Sequence, residues 1–479
     1  MRSSITILTL VLFSFIGAAA QDTVKYTLKE CVDIAWSNNL RIKRSIFSIE
    51  SSNINLLQAK AAFLPTLTIG GSTSNNYGRA LNPVSNQFVD RNSSAINLSG
   101  QANLTLFNGF RIQNTFRQNQ VDLNASNEDL TKAKNDIALS VINNYTNVIF
   151  NQELFSNNLY QLKSSQQQLE RISKQVNAGA LSRSNQLNQE AQVATNEVNL
   201  INQENALNLS ILQLKQAMQI TSASIIKVVA PDLSTEDLII DKTPEAIYQI
   251  AIQTMPELKA AELRVQSANL ALKASKGNYY PRLTLSAAAQ SNYSSLSNAA
   301  RYQPDGTVSL GTVPLGAVSA TGQQVFGYQP NYVQVAEKYS QGDQLNDNLF
   351  KAVTLNLNIP LFNGLATRTS VQRSAVNKEL ADITVKETQN TLRQSIETAY
   401  NDALASSKTY NASLKQVSAQ EEAYRMNKQR FENGSTSFVE YQVSENDLFR
   451  AKSDLTRAKY NFIFKKKLLD FYQGKQIEF

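Results

Sequence analysis

Apolar residues recur along this chain with two different periods, and the change from one to the other happens twice. Ile96, Leu98, Gly100, Ala102, Leu104 and Leu106 alternate with Asn97, Ser99, Gln101, Asn103 and Thr105, which predicts a strand with one apolar face and one uncharged polar face. Val353, Leu355, Leu357, Ile359 and Leu361 alternate in the same way with Thr354, Asn356, Asn358 and Pro360, and Leu283, Leu285, Ala287 and Ala289 with Thr284, Ser286, Ala288 and Gln290. Pro65 to Tyr77 is a weaker version, with Leu67 and Ile69 opposed by Thr66, Thr68 and Gly70. After each strand pair the period becomes seven. Val141, Val148, Phe155, Leu162, Leu169 and Val176 form one series, and Ile396, Ala403, Tyr410, Val417, Tyr424 and Phe431 form the other. A narrow stripe at that spacing is what coiled-coil packing of long helices needs. The flanking Asn143, Asn144, Asn151, Gln152, Asn157 and Asn158 predict that one side of the helical wall faces water.

The two series belong to a duplication. Leu106-Phe107-Asn108-Gly109 recurs as Leu361-Phe362-Asn363-Gly364, an offset of 255, and residues 110–178 and 365–433 that follow contain neither Gly nor Pro. A helix over either run, at ~1.5 Å per residue, would span roughly 100 Å, several times a globular core. Upstream, Thr27, Ala35, Leu40 and Phe63-Leu64-Pro65 match Thr243, Ala251, Pro256 and Tyr279-Tyr280-Pro281 at an offset of 216; the offsets differ by 39, so an insertion of 39 residues lies between Pro281 and Leu361. Its Pro304, Gly306, Gly311, Pro314, Gly316 and Pro330 predict an irregular surface loop between Tyr293 and Leu349. The organisation expected is a leader at 1–20, a first repeat at 21–231 and a second at 232–479. The first holds a strand pair at about 64–107 and a long helical hairpin at about 110–220; the second holds a pair at about 280–362 and a hairpin at about 365–473.

The hairpin tips carry turn chemistry. Gly179 and Gly434 suit a left-handed position after a helix end, and Ser437 with Glu440 has the spacing of a capping box for the return helix. In the first copy Ser182 is the expected cap and Asn185 stands where the second copy has Glu440. Thr27 with Glu30 gives another capping box, and Thr243-Pro244 places Pro at a first helical position.

Composition narrows the function. Arg2, the apolar run from Ile5 to Ile16 and Gly17-Ala18-Ala19-Ala20 before Gln21 form a secretory signal pattern with a cut after Ala20. The only Cys, Cys31, does not follow that cut, so neither a lipid-anchored N-terminus nor an intrachain disulfide is expected. The absence of His removes Ser-His catalysis and ordinary zinc ligation, and no carboxylate pair sits on a pocket motif, so neither an enzyme, a metal nor a cofactor is expected. Net charge is +7, but the basic residues are dispersed and not massed with aromatics, which argues against nucleic acid. The densest cluster, Lys465-Lys466-Lys467, reads as a solvated helix end. No run of roughly 18 apolar residues follows the leader.

Strands of about ten residues are long enough to cross a bilayer when tilted. Phe63, Phe107, Tyr279, Tyr280 and Phe362 cluster at the strand ends that adjoin helices, where an interfacial girdle would lie. On this reading Leu98, Leu104, Leu283, Leu285, Leu355 and Leu357 face lipid; the alternative for such strands is a sheet over a soluble core. Four strands are too few to close a membrane barrel, since the smallest have about eight, and each unpaired backbone group in lipid costs several kcal/mol. Several copies must then share one barrel.

With its tandem halves, its Phe63-Leu64-Pro65 and Tyr280-Pro281 strand entries, its two Leu-Phe-Asn-Gly elements and its Gly179 and Gly434 tips, the chain resembles the TolC-like outer-membrane efflux protein family over essentially the whole mature sequence. The resemblance implies a mixed fold: a twelve-stranded outer-membrane β-barrel shared by a homotrimer, four strands per chain, continued by a long α-helical barrel into the periplasm. It implies the outer-membrane channel of a tripartite efflux or type I secretion system, fed by an inner-membrane transporter through a periplasmic adaptor (membrane fusion) protein that meets the helix tips. In such proteins acidic residues six and nine positions after the second tip Gly form a constriction. Here those positions are Glu440 and Val443, and in the first copy Asn185 and Asn188, which leaves a single acidic ring. The tip and gate set implied is Gly179, Ser182, Asn185, Asn188, Gly434, Ser437, Glu440 and Val443. The Leu-Phe-Asn-Gly elements are read as strand-to-helix turns. The competing reading is a periplasmic coiled-coil adaptor or scaffold, which would need one hairpin flanked by compact β domains.

Overall fold

The structure is a computed structural model that describes residues 24–81, 87–90, 92–221, 226–229, 240–297, 301–311, 315–335 and 339–475. The leader, the expected repeat boundary at 231/232 and Pro314 lie outside the described residues.

In chain order the first half contains β1 (Val24–Tyr26), α1 (Leu28–Asn38), α2 (Leu40–Ala61), β2 (Thr66–Asn76), β3 (Arg79–Leu81), β4 (Phe88–Asp90), β5 (Ser93–Phe107), α3 (Arg111–Asn177) and α4 (Arg183–Met218). It continues with β6 (Ile226–Val228), α5 (Pro244–Thr254), α6 (Pro256–Lys276), β7 (Arg282–Ser294), β8 (Arg301–Leu310), β9 (Gly316–Ala317), β10 (Gln324–Val325) and β11 (Tyr328–Val335). Last come α7 (Gln341–Asp347), β12 (Phe350–Asn358), α8 (Ala366–Glu432) and α9 (Phe438–Tyr472). The chain divides into two compact units, one from Met1–Asn53, Val121–Gln266 and Glu379–Phe479, the other from Ile54–Gln120 and Ser267–Lys378.

The second unit is built on a four-stranded antiparallel sheet in the order β12-β7-β5-β2. Its register turns the period-two patterns into faces. Leu104 stands opposite Leu285 and Leu285 opposite Leu355, so three strands contribute to one leucine row; Leu283 opposite Leu357 forms the next row on that face, and Leu98 shares the parity of Leu104. The other face carries Asn103, Ser286 and Thr354 in one row, and the Ser286 hydroxyl donates to Asn103 Oδ1 at 2.9 Å. Among the described residues both outer strands lack a partner on one side: every residue of β2 is exposed, as is all of β12 but Ala352. Thr66 pairs with Asn103 and Asn358 with Arg282, so the strand ends that connect to α2, α3, α6 and α8 lie at one end of the sheet. There Gly109 (φ +67°) abuts Gly277, and a β-carbon on Gly109 would collide with the Gly277 carbonyl. This explains the first Leu-Phe-Asn-Gly element as a turn: its Asn108 Oδ1 accepts the Ile112 amide while its Gly admits a neighbouring backbone.

The insertion corrects the expectation of an irregular loop. Within it, β8 and β11 form an antiparallel pair from Tyr328 opposite Leu310 to Val335 opposite Arg301, with an irregularity between Pro330 and Tyr332. The prolines are tolerated because this two-stranded ladder has two solvent edges and a bulge, where a missing N–H costs little. Asn331 sits at the bulge, donating to Thr307 Oγ1 at 2.8 Å and accepting from Ser309 Oγ at 2.6 Å.

The first unit packs helices around the parallel pair β1 and β6. Leu28, Cys31, Val32 and Ala35 of α1 meet Ile137, Val141, Ile142 and Tyr145 of α3, Leu214 and Met218 of α4, and Tyr460 and Ile463 of α9. Tyr145 is buried, with its hydroxyl donating to Val229 O at 2.7 Å and Tyr26 O at 3.1 Å. A matching core joins Ile247 and Ala251 of α5 to Leu392, Ile396 and Ala403 of α8 and Leu469 of α9. The heptad seam is the buried side of both long helices: Val141, Val148, Leu162, Ile396, Ala403 and Val417 are buried, and the other seam positions half-buried. Of the flanking amides, Asn143 and Gln152 are exposed, whereas Asn144, Asn151, Asn157 and Asn158 are half-buried. The lysine cluster is not a freely solvated end. Lys466 is buried and ion-paired at 2.7 Å with Asp470, one turn further along its own helix, and Lys465 pairs at 2.7 Å with Asp402, which the neighbouring α8 brings to it.

Candidate functional site

Both long helices end in the same way. At the first tip the Gly179 amide donates to Val176 O and the Ala180 amide to Gln175 O; at the second, Gly434 donates to Phe431 O and Ser435 to Arg430 O. With φ of +73° at Gly179 and +71° at Gly434, both are Schellman closures, which satisfy helix carbonyls that would otherwise lack donors. Sequence spacing predicted these two positions because few other residues tolerate that backbone.

The return helices start differently. Ser437 Oγ accepts the Glu440 amide at 3.2 Å, but the Glu440 carboxylate accepts from the Thr436 hydroxyl, so the expected reciprocal capping box is replaced by a cap plus a side-chain contact one residue earlier. Ser182 makes no side-chain cap bond at all. The Asn185 amide instead donates to the Ser182 carbonyl at 3.1 Å, a tighter backbone closure that leaves the hydroxyl unused. The boxes farther up behave as expected. Thr27 and Glu30 exchange both bonds, and Thr243 caps α5 with Pro244 at its start.

The two hairpins meet near these tips. Ile172, Val176 and Leu181 of the first pack with Tyr424, Phe431, Phe438 and Tyr441 of the second. Phe431 and Tyr441 stack with ring centroids 5.2 Å apart, and Phe431 lies 5.8 Å from Phe438. A polar layer continues this contact. Gln192 Oε1 accepts from Gln442 at 3.2 Å and Asn446 at 3.3 Å, while buried Gln189 donates to Ser165 O at 2.9 Å. Buried Glu445 accepts from Ser164 Oγ at 3.2 Å. Burial pushes its carboxyl above the usual range, opposed by the Ser164 hydrogen bond and the positive Arg171 and Lys428. Burial also raises the Tyr441 and Tyr424 hydroxyls, which are 3.4 Å apart.

A cleft of roughly 590 Å³ beside this cluster is lined by Arg171, Asn185, Lys428, Gly434 and Ser437, among others. Of the tip residues expected from sequence, it brings together Asn185, Gly434 and Ser437. Asn188, Glu440 and Val443 are exposed on the return helices, Asn185 is half-buried, and Gly179 and Ser182 are exposed at the first turn. Sequence reading passed over the buried polar layer. Its signal was present in Gln161 and Gln168, spaced by seven and each one residue before a seam leucine, yet both are buried. Among the described residues no group of three or more Asp, Glu or Cys could hold a metal ion, and no helix is long and apolar enough to cross a membrane.

Comparison with known proteins places this geometry. The family model described as outer membrane efflux protein matches residues 31–218 and 247–465, which hold both strand pairs, the whole first hairpin and most of the second. BepC, an outer membrane efflux protein of Brucella suis, is 20% identical over 457 residues, covering 95% of this chain and 86% of that protein. TtgC, a toluene efflux pump outer membrane protein of Pseudomonas putida, is 22% identical over 218 residues, 45% of this chain; the match spans only 35% of that relative's length. Among solved structures, CusC superposes with a TM-score of 0.74 at 14% identity, over 95% of this chain and 93% of that one. VceC of Vibrio cholerae gives 0.71 at 15% identity, over 94% and 97%. The fold is therefore the mixed strand and long-helix fold of TolC-like channels, which favours the channel over the periplasmic scaffold. With most of its length matched by that family's model, the chain belongs to the outer membrane efflux protein family and is an outer-membrane protein.

Proposed function

We propose that this chain is the outer-membrane duct of a tripartite efflux system, a homotrimer whose helix tips meet a periplasmic adaptor that couples it to an inner-membrane transporter. The observation that carries the reading is the four-stranded sheet with both edges open and one leucine face. Because the strand number is even and all pairs are antiparallel, β12 of one copy can pair antiparallel with β2 of the next, and three copies close twelve strands with no edge left in lipid. Leu98, Leu104, Leu283, Leu285, Leu355 and Leu357 then face lipid, and the Asn103, Ser286 and Thr354 row faces the lumen. The two tandem repeats divide near residues 231/232, each supplying two of the strands and one hairpin. Relatives named for toluene and antibiotic efflux favour small molecules over proteins as cargo. A polar wall selects little, so the choice is made at the pump.

The experiment is a pair of neighbouring substitutions. Arg on the lipid face at mid-depth costs about 2–4 kcal/mol per chain in membrane barrels, so Leu355→Arg should deplete assembled outer-membrane protein far more than Asn356→Arg. Equal yields would refute the face assignment and with it the barrel.

A further inference from the structure

The hairpin formed by β8 and β11 has an apolar face that its own chain leaves uncovered. Val308, Leu310, Tyr328 and Tyr332 are 63%, 55%, 75% and 58% exposed, and the register puts Leu310 with Tyr328 and Val308 with Pro330 on one side. The opposite side is satisfied internally where Thr307, Asn331 and Ser309 hydrogen-bond one another, and Val333 is its exposed apolar residue beyond them. An apolar face with four large exposed side chains, set against a side whose polar groups are already paired, marks an interaction surface. Three observations choose the occupant. Residues 301–335 carry only two charges, Arg301 and Asp305, so copies of this hairpin do not repel one another. The hairpin is inserted between β7 and β12, whose free edge is where a second copy joins in the proposed barrel. Reach also suffices. Ten residues of β8 extend ~33 Å, whereas twelve strands ~4.8 Å apart and tilted by ~40° enclose a radius of roughly 12 Å.

We infer that the apolar faces of the β8–β11 hairpins from three copies of this chain pack on one another over the outer mouth of the barrel, forming an external lid. The inference rests on the trimeric reading above. Cyclic symmetry brings the same patch inward from each copy, so a face useless to one chain is buried in three. The lid obstructs the mouth until the hairpins separate, and its cohesion is hydrophobic rather than ionic.

The test is Tyr328→Cys in the full-length protein on intact cells, treated with a membrane-impermeant oxidant, with Ser309→Cys on the polar face as control. The natural Cys31 is buried and stays out of the reaction. The expected result for Tyr328→Cys is conversion of up to about two-thirds of the single-chain band into a two-chain band on a non-reducing gel, because one disulfide joins two of the three thiols and leaves the third unpaired; Ser309→Cys should convert little. Leu310→Cys, on the same face, should behave like Tyr328→Cys and serves if that variant accumulates poorly. Native mass of the reduced particle separates the two failures. Three chains per particle without cross-linking would overturn the lid alone, as would equal cross-linking from both faces. A thiol at position 328 that remains single and is shielded from aqueous maleimide would place the face in outer-leaflet lipid, and so overturn it too. Particles without three chains would overturn both the lid and the trimer beneath it.

Discussion

The two hairpin tips solve one backbone problem and differ in what holds the solution. Both reverse through a Gly with φ near +70° and the same pair of amide-to-carbonyl bonds. Beyond that turn the first tip offers buried Ile172, half-buried Val176 and Leu181, and an unused Ser182 hydroxyl, while the second offers an aromatic set, half-buried Phe431 with buried Phe438 and Tyr441 in mutual contact, and a working Ser437 cap. A duplicated turn thus keeps its Gly because the left-handed backbone demands it, and the packing around it is free to diverge. In this chain the anchoring has concentrated in the second copy.

The largest test of that asymmetry removes an anchor from each side. Tyr441→Ala deletes a buried aromatic and should cost about 3–5 kcal/mol locally, while Leu181→Ala, half-buried, should cost about 2 kcal/mol or less. Hydrogen exchange of tip amides reads both, and equal acceleration would break the comparison. Next in size is Glu445, which lies in the second hairpin and accepts from Ser164 of the first. Its folded-state pKa is raised by burial, so its contribution is fully present below the ordinary glutamate value and declines as pH rises through the folded value. Tip protection should therefore fall from acidic to neutral pH, and Glu445→Gln should flatten that dependence; a wild-type tip that tightens with rising pH would reverse the assignment. Ser437→Ala should cost about 1 kcal/mol, a typical cap loss, whereas Ser182→Ala should be close to silent, because its hydroxyl caps nothing; comparable losses would mean the first cap forms in the assembled protein. The smallest effect expected is at Glu440. It is the one acidic residue among Asn185, Asn188, Glu440 and Val443, so Glu440→Gln should lower cation preference and divalent block only modestly in planar bilayers. No change at all would leave Glu440 to its Thr436 contact.

Much of this molecule was legible in its residues. Period two gave the strand faces and period seven the helix seams, since both follow from how side chains leave regular backbone. Gly179 and Gly434 were legible because the left-handed region is sterically selective. Partners distant in sequence were not. That β5 of the first repeat pairs with β7 of the second, and that Asp402 receives Lys465, are decided by packing that no local period encodes, whereas the Lys466–Asp470 pair follows from i,i+4 spacing on one helix. The insertion forms strands despite its Pro and Gly because Thr307, Val308, Ser309 and Leu310 alternate as a strand does. Ser182 misled because a backbone carbonyl competed successfully with a hydroxyl for one amide.

Native mass spectrometry of the detergent-solubilised protein tests the central claim most directly. Two open sheet edges and one leucine face predict a particle of three chains that resists dissociation in mild detergent. A stable particle of one or two chains would contradict it, because four or eight strands of this sheet leave the twelve-stranded closure unmade.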